Sequence, residues 1–96
     1  MAIGVIATIT IRDGKNAEFE ELFAALTEQV LANEPGAIFY ALHRTQSDSQ
    51  VYKVLEQYTS QEAIKAHGQT EYFLAASKKM GTLVTAAPDI EVLDAV

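Results

Sequence analysis

The 96 residues carry seven basic against thirteen acidic side chains and no cysteine, which leaves one domain with a single core and excludes disulfides, thiolate nucleophiles and cysteine-based metal sites. A formal charge of −6 repels phosphate backbones and anionic lipid surfaces, so neither nucleic acid nor a membrane is an expected partner. No apolar run nears the roughly 20 residues of a membrane helix, and MAIGVIATITIRDG has no basic region before its apolar stretch, so a soluble, unprocessed, cytoplasmic protein is expected.

Ile3 to Ile11 reads as a strand rich in β-branched residues and apolar on both faces, more than one helical layer would cover. Asp13-Gly14 makes a turn, and Asn16 is the expected N-cap of a helix running to about Asn33, with Glu18, Glu20 and Glu21 early in it, where the helix dipole favours anions. Phe19, Leu22, Phe23, Leu26 and Val30 form its apolar stripe. Glu34-Pro35-Gly36 stops this helix, because Pro35 disfavours helical geometry at Glu34 and Gly36 permits a reversal. A strand from Ile38 to Thr45 follows, with Ile38, Tyr40 and Leu42 on one face and Phe39, Ala41 and His43 on the other. The polar loop 46–50 suits a hairpin into the next strand.

Val51 to Tyr58 places Tyr52, Val54, Glu56 and Tyr58 on one face. Thr59-Ser60-Gln61-Glu62 fits a capping box with Thr59 as N-cap, opening a short helix that carries Ala63, Ile64 and His67 on one side. Gly68 is expected to end it as a left-handed residue. Thr70 caps a second short helix, with Phe73, Ala76, Ser77 and Met80 along one side, Lys78 and Lys79 at its end and Gly81 as its stop. Residues 82–87 are ambiguous, and Asp89 to Ala95 reads as a last strand in which Ile90 and Val92 alternate with Glu91 and Leu93.

The order β-α-β-β-α-β predicts an α+β, ferredoxin-like antiparallel sheet with helices on one side, one domain spanning residues 1–96. Apolar residues on the sheet's other face predict a homodimer formed sheet to sheet, with His43 in the contact. His67 and Glu56 stand out as the one plausible acid–base pair. Two histidines on opposite sheet faces do not converge, so no metal site is expected.

An acidic first helix, then EPGAIFYAL, a strand ending LEQY, and SQEAIKAH followed by TEYF resemble the antibiotic biosynthesis monooxygenase family of dimeric α+β barrels over nearly the whole chain. The most specific parts are Glu34-Pro35-Gly36, Glu56 two residues before Tyr58, and His67 shortly before Phe73. The resemblance implies facing sheets across a dimer, a pocket between each sheet and its own helices, and oxidation of quinol-like or anthrone-like aromatics by O₂ without a cofactor. Other members are isomerases or have no known substrate. Haem-cleaving relatives use an Asn, a Trp and a His around the porphyrin, and this chain departs from them in having no Trp and no Asn in its first strand.

Such oxygenation needs a substrate that, once deprotonated, reduces O₂ directly, while the protein supplies a base, an anion stabiliser and a dry cavity. His67 is the expected base, since an imidazole takes a proton near neutrality, with Glu56 to fix its tautomer. Tyr40, Tyr52, Tyr58 and Phe73 are the expected substrate contacts, the tyrosines as donors to a phenolate or enolate oxygen. The competing roles are structural: His67 at a helix end, Glu56 as a satisfied acceptor and the aromatic rings as packing. A small-molecule binder or isomerase on the same barrel is the alternative function.

Overall fold

The computed structural model describes residues 1–96 and orders them as β1 (Ile3–Thr10), α1 (Asn16–Asn33), β2 (Ala37–Arg44), β3 (Val51–Tyr58), α2 (Gln61–His67), α3 (Glu71–Met80) and β4 (Asp89–Asp94). The strands form one sheet in the order β2-β3-β1-β4, every neighbouring pair antiparallel. This is the expected ferredoxin-like arrangement, with the second helical segment split into α2 and α3. No helix is long and apolar enough to cross a membrane.

The alternation in β1 sets the layers, because Ile3, Val5, Ala7 and Ile9 are buried on the helical side while the residues between them stay half-buried. Helix α1 lies on that side through Phe19, Phe23, Leu26 and Val30, whose three- and four-residue spacing makes one stripe. Ile11, Tyr52, Val54 and Leu83 belong to the same buried core. Within residues 82–87, Val84 bridges Ile11.

The other sheet face carries no helix. Ala41, Leu55, Ile6 and Glu91 form one row across it, and Phe39, Gln57, Gly4 and Leu93 the next. Phe39 and Leu93 remain 43% and 41% exposed, and His43 is exposed on the same face.

Several local expectations give way to tertiary geometry. The register shifts between Ala37 and Phe39, setting Ala37 opposite Tyr58 and Phe39 opposite Gln57, so Ile38 is the extra residue of a bulge and does not share the face of Tyr40 and Leu42. Ser60, not Thr59, caps α2, its hydroxyl accepting the Ala63 N–H at 3.2 Å, because Thr59 is still tied to the sheet by donating its N–H to Gly36 O at 2.9 Å. Lys15 occupies the N-cap position of α1, since the Asn16 amide is drawn to Ser49 O and the Tyr52 hydroxyl. Gly68 stays right-handed at φ −67°; α3 begins three residues later, and the chain needs no reversal there. Thr70 caps α3 as expected, accepting the Phe73 N–H.

Candidate active site

Across the helical face of the sheet, Tyr40, Glu56, Val5 and Val92 form one row, with Glu56 between Tyr40 and Val5. The alternation in β3 thus aims Glu56 under the helices. Above it, His67 ends α2, and its carbonyl accepts the Thr70 hydroxyl at 3.0 Å. The same hydroxyl caps α3, which brings the Phe73 ring to 4.6 Å from the imidazole. Tyr40 and Tyr58 flank that imidazole at 5.3 and 5.5 Å between ring centroids.

A cavity of about 270 Å³ lies between sheet and helices, lined by Tyr40, Glu56, Tyr58, His67 and Phe73 together with apolar side chains from β1, α1 and β4. Five of the six expected site residues therefore meet at one hollow. Tyr52 does not. Its register puts it opposite Ile9, two rows from Glu56, where its hydroxyl donates to Glu20 Oε2 and accepts from Asn16. Its ring packs on Phe19 at 4.9 Å, so Tyr52 pins α1 to the sheet.

The partner of His67 is Glu34, not Glu56. Nδ1 lies 3.0 and 3.1 Å from the two Glu34 oxygens, and both side chains are nearly closed to solvent, at 8% and 10% exposure. The Tyr72 hydroxyl also donates to Glu34, which pushes the tyrosine up to about 12, chiefly through burial and then through that hydrogen bond. Glu34 is the C-cap of α1, where its N–H still donates to Val30 O. Gly36 then lets the turn settle against α2: a Cβ there would stand 2.6 Å from that of Ala63. Removing that side chain is what lets the Glu34 turn and α2 touch.

A carboxylate acceptor makes Nδ1 the donor, which in the neutral imidazole leaves the lone pair on Nε2. Nε2 makes no hydrogen bond within the protein, and no buried polar atom lacks a partner. Nε2 is therefore not fully closed off, and His67 is among the residues that line the cavity. Glu56 instead accepts the Tyr58 hydroxyl at 2.6 Å. Burial raises the Glu56 carboxyl, and nearby Glu34 adds to this, against the opposing pull of that hydrogen bond and of His67.

Burial is also the main reason that Tyr40 and Tyr58 are raised far above a phenol's ordinary range, with Glu56 adding to both, so each keeps its proton. Their availability differs. The hydroxyls of Tyr52, Tyr58 and Tyr72 are committed to carboxylates, whereas that of Tyr40, among the four tyrosines, has no partner in the protein. A free donor on the sheet side and an unbonded imidazole nitrogen on the helical side thus belong to residues lining one apolar hollow, an arrangement suited to taking a proton from a hydroxyl or activated C–H and holding the resulting oxyanion.

Sequence reasoning used Glu34 only as a turn and family signature and passed over Tyr72. One signal was available: an acidic residue at a helix C-terminus opposes the dipole, so a Glu there before Pro-Gly needs donors from elsewhere.

The fold and site define a small α+β domain of ferredoxin-like topology with a ligand-sized internal cavity. The model of the antibiotic biosynthesis monooxygenase family matches residues 2–79, and the chain belongs to that family. It is 50% identical to a Caulobacter crescentus protein named for the same family, over 99% of this chain and 90% of that one, with a TM-score of 0.96. A Pseudomonas aeruginosa protein is 29% identical over 99% of this chain and 94% of that one, with a TM-score of 0.88. A Nitrosomonas europaea protein also named for the family shares the fold at a TM-score of 0.95 and 17% identity, over 99% and 90% of the two chains. No curated protein matches.

Proposed function

We propose that the chain is a monooxygenase that oxidises a small quinol-like aromatic with O₂ and no cofactor, His67 serving as general base. The observation that carries this reading is the buried imidazole held at Nδ1 by Glu34, its Nε2 unbonded within the protein, in a cavity that Tyr40 also lines. In this reaction Nε2 takes the phenolic proton, and Tyr40 donates to the oxyanion left behind. The electron-rich ring reduces O₂; one oxygen atom replaces a ring hydrogen to give a carbonyl, and the other leaves as water. A phenol with one ring C–H and one O₂ thus balances as a quinone and one water. Glu34 offsets the imidazolium charge, and Glu56 with Tyr58 shapes the cavity wall. The bare sheet face, with Phe39 and Leu93 part-exposed, supports a homodimer formed sheet to sheet.

Oxygen uptake on a panel of hydroxylated naphthalenes and anthrones tests the reading. Turnover is expected, with His67→Ala lowering kcat by about 10² to 10⁴ and Tyr40→Phe by about 10² to 10³, both variants remaining folded. Ligand binding or isomerisation with no O₂ consumed would replace this reading by the binder or isomerase alternative, and a fully active His67→Ala enzyme would remove the base.

A further inference from the structure

Glu34 holds His67, and something must hold Glu34. The torsion that sets the plane of a glutamate carboxyl is broad and two-fold, and the imidazole does not choose between its oxygens, which stand 3.0 and 3.1 Å from Nδ1. Tyr72 does choose, since its hydroxyl donates to Oε2. A carboxylate with 10% exposure has little water to replace a donor that is lost.

The chain builds this contact from one corner. Thr70 joins α2 to α3, its hydroxyl donating to the His67 carbonyl at 3.0 Å and accepting the Phe73 N–H at 3.3 Å, so His67 and Tyr72 extend from a braced turn to the same carboxylate at the end of α1. Tyr72 packs against the core and lines, with Leu22, Leu26 and Ala76, a hollow between α1 and α3. It does not line the central cavity. A ligand there therefore meets His67 and not Tyr72. Tyr52 makes a similar bond to Glu20, but the acceptor of Tyr72 is the one that also holds the imidazole.

We propose that Tyr72 is a positioning residue: by fixing the Glu34 carboxylate it keeps the neutral His67 ring protonated at Nδ1, with Nε2 left to take a proton. Its effect on catalysis rests on His67 being the base; its effect on the ring does not. The test is Tyr72→Phe in the whole chain, which removes the hydroxyl and keeps the packed ring. ¹⁵N spectra of His67 are recorded without substrate at about pH 9, above an imidazole's ordinary range. The wild type is expected to be protonated at Nδ1 alone, and Tyr72→Phe to show a mixture of the two tautomers. On a substrate that turns over, Tyr72→Phe should lower kcat about tenfold and leave KM unchanged. In the Glu34→Gln background the same change should cost kcat nothing further, because the two groups act through one another. A Tyr72→Phe ring unchanged from the wild type, whatever the loss of stability in urea, overturns the inference, as does a wild type that already mixes tautomers or an equal loss of kcat in both backgrounds. Failure of the functional reading looks different: a shifted tautomer with no O₂ uptake on any substrate, or with kcat undiminished, removes the oxygenase or the base and leaves Tyr72 holding the ring.

Discussion

Replacing Glu34 with Gln alters a carboxylate that serves two donors at once, His67 Nδ1 and the Tyr72 hydroxyl. The amide keeps the shape but presents N–H where an acceptor stood. If that NH₂ faces the imidazole, Nδ1 must accept and the ring proton moves to Nε2, which can then no longer take the substrate proton. If the amide oxygen faces it, the tautomer survives, but the imidazolium formed during proton transfer loses its neighbouring charge. With Nδ1 and the carboxylate 3.0 Å apart, charges separated by about 4 Å at an effective dielectric constant of about 20 interact by about 4 kcal/mol. Rearrangement of the site recovers part of this, leaving about 2 to 4 kcal/mol, a loss in kcat of about 30- to 1000-fold. The fold should survive, since one mismatched buried donor costs about 1 to 3 kcal/mol against a typical total of about 5 to 15. Oxygen uptake gives kcat, urea unfolding gives stability, and ¹⁵N spectra of His67 report the tautomer. A wild-type imidazole protonated at Nε2, or a Gln variant with undiminished kcat, would refute the reasoning.

Gly36→Ala should destabilise the chain by about 1 to 3 kcal/mol, because the added Cβ meets Ala63 at 2.6 Å; urea unfolding measures it, and adding Ala63→Gly should recover most of the loss. For Glu56, burial raises the folded-state carboxyl above its ordinary 4.5, so the native chain holds its proton to higher pH than the unfolded one. Wild-type stability relative to Glu56→Gln should therefore fall as pH rises from about 4.5 through the raised value and level off beyond it; unfolding midpoints of both proteins across this range check the sign, and a rising difference contradicts it. Phe39→Asp should convert a sedimenting dimer into a folded monomer by placing a charge on the bare sheet face; a wild-type protein that is monomeric at micromolar concentration rules out the proposed dimer.

The period-two alternation of Val51–Tyr58 was enough to place Glu56 and Tyr58 on one face, since side chains alternate in any strand whatever it pairs with. Three- and four-residue spacing likewise turned Phe19, Phe23, Leu26 and Val30 inward and set His67 on the buried side of a short helix. Composition excluded whole classes of chemistry for the same reason: a chain without cysteine has none to offer in any fold. Such inferences need only local geometry or an inventory of residues.

Pairing across the chain obeyed no local rule. His67 meets Glu34 across 33 positions because the Pro35-Gly36 turn packs against Ala63, an approach set by where α2 lies over the sheet. The tyrosines look alike in sequence and differ only by what stands beside each hydroxyl, which commits Tyr52, Tyr58 and Tyr72 to carboxylates and leaves Tyr40 free. The bulge at Ile38 turned one residue out of an otherwise regular alternation. Periodicity decides which face a side chain takes, whereas register, helix placement and close backbone approach decide which neighbour it finds there, and the chemistry of this site depends on the neighbours.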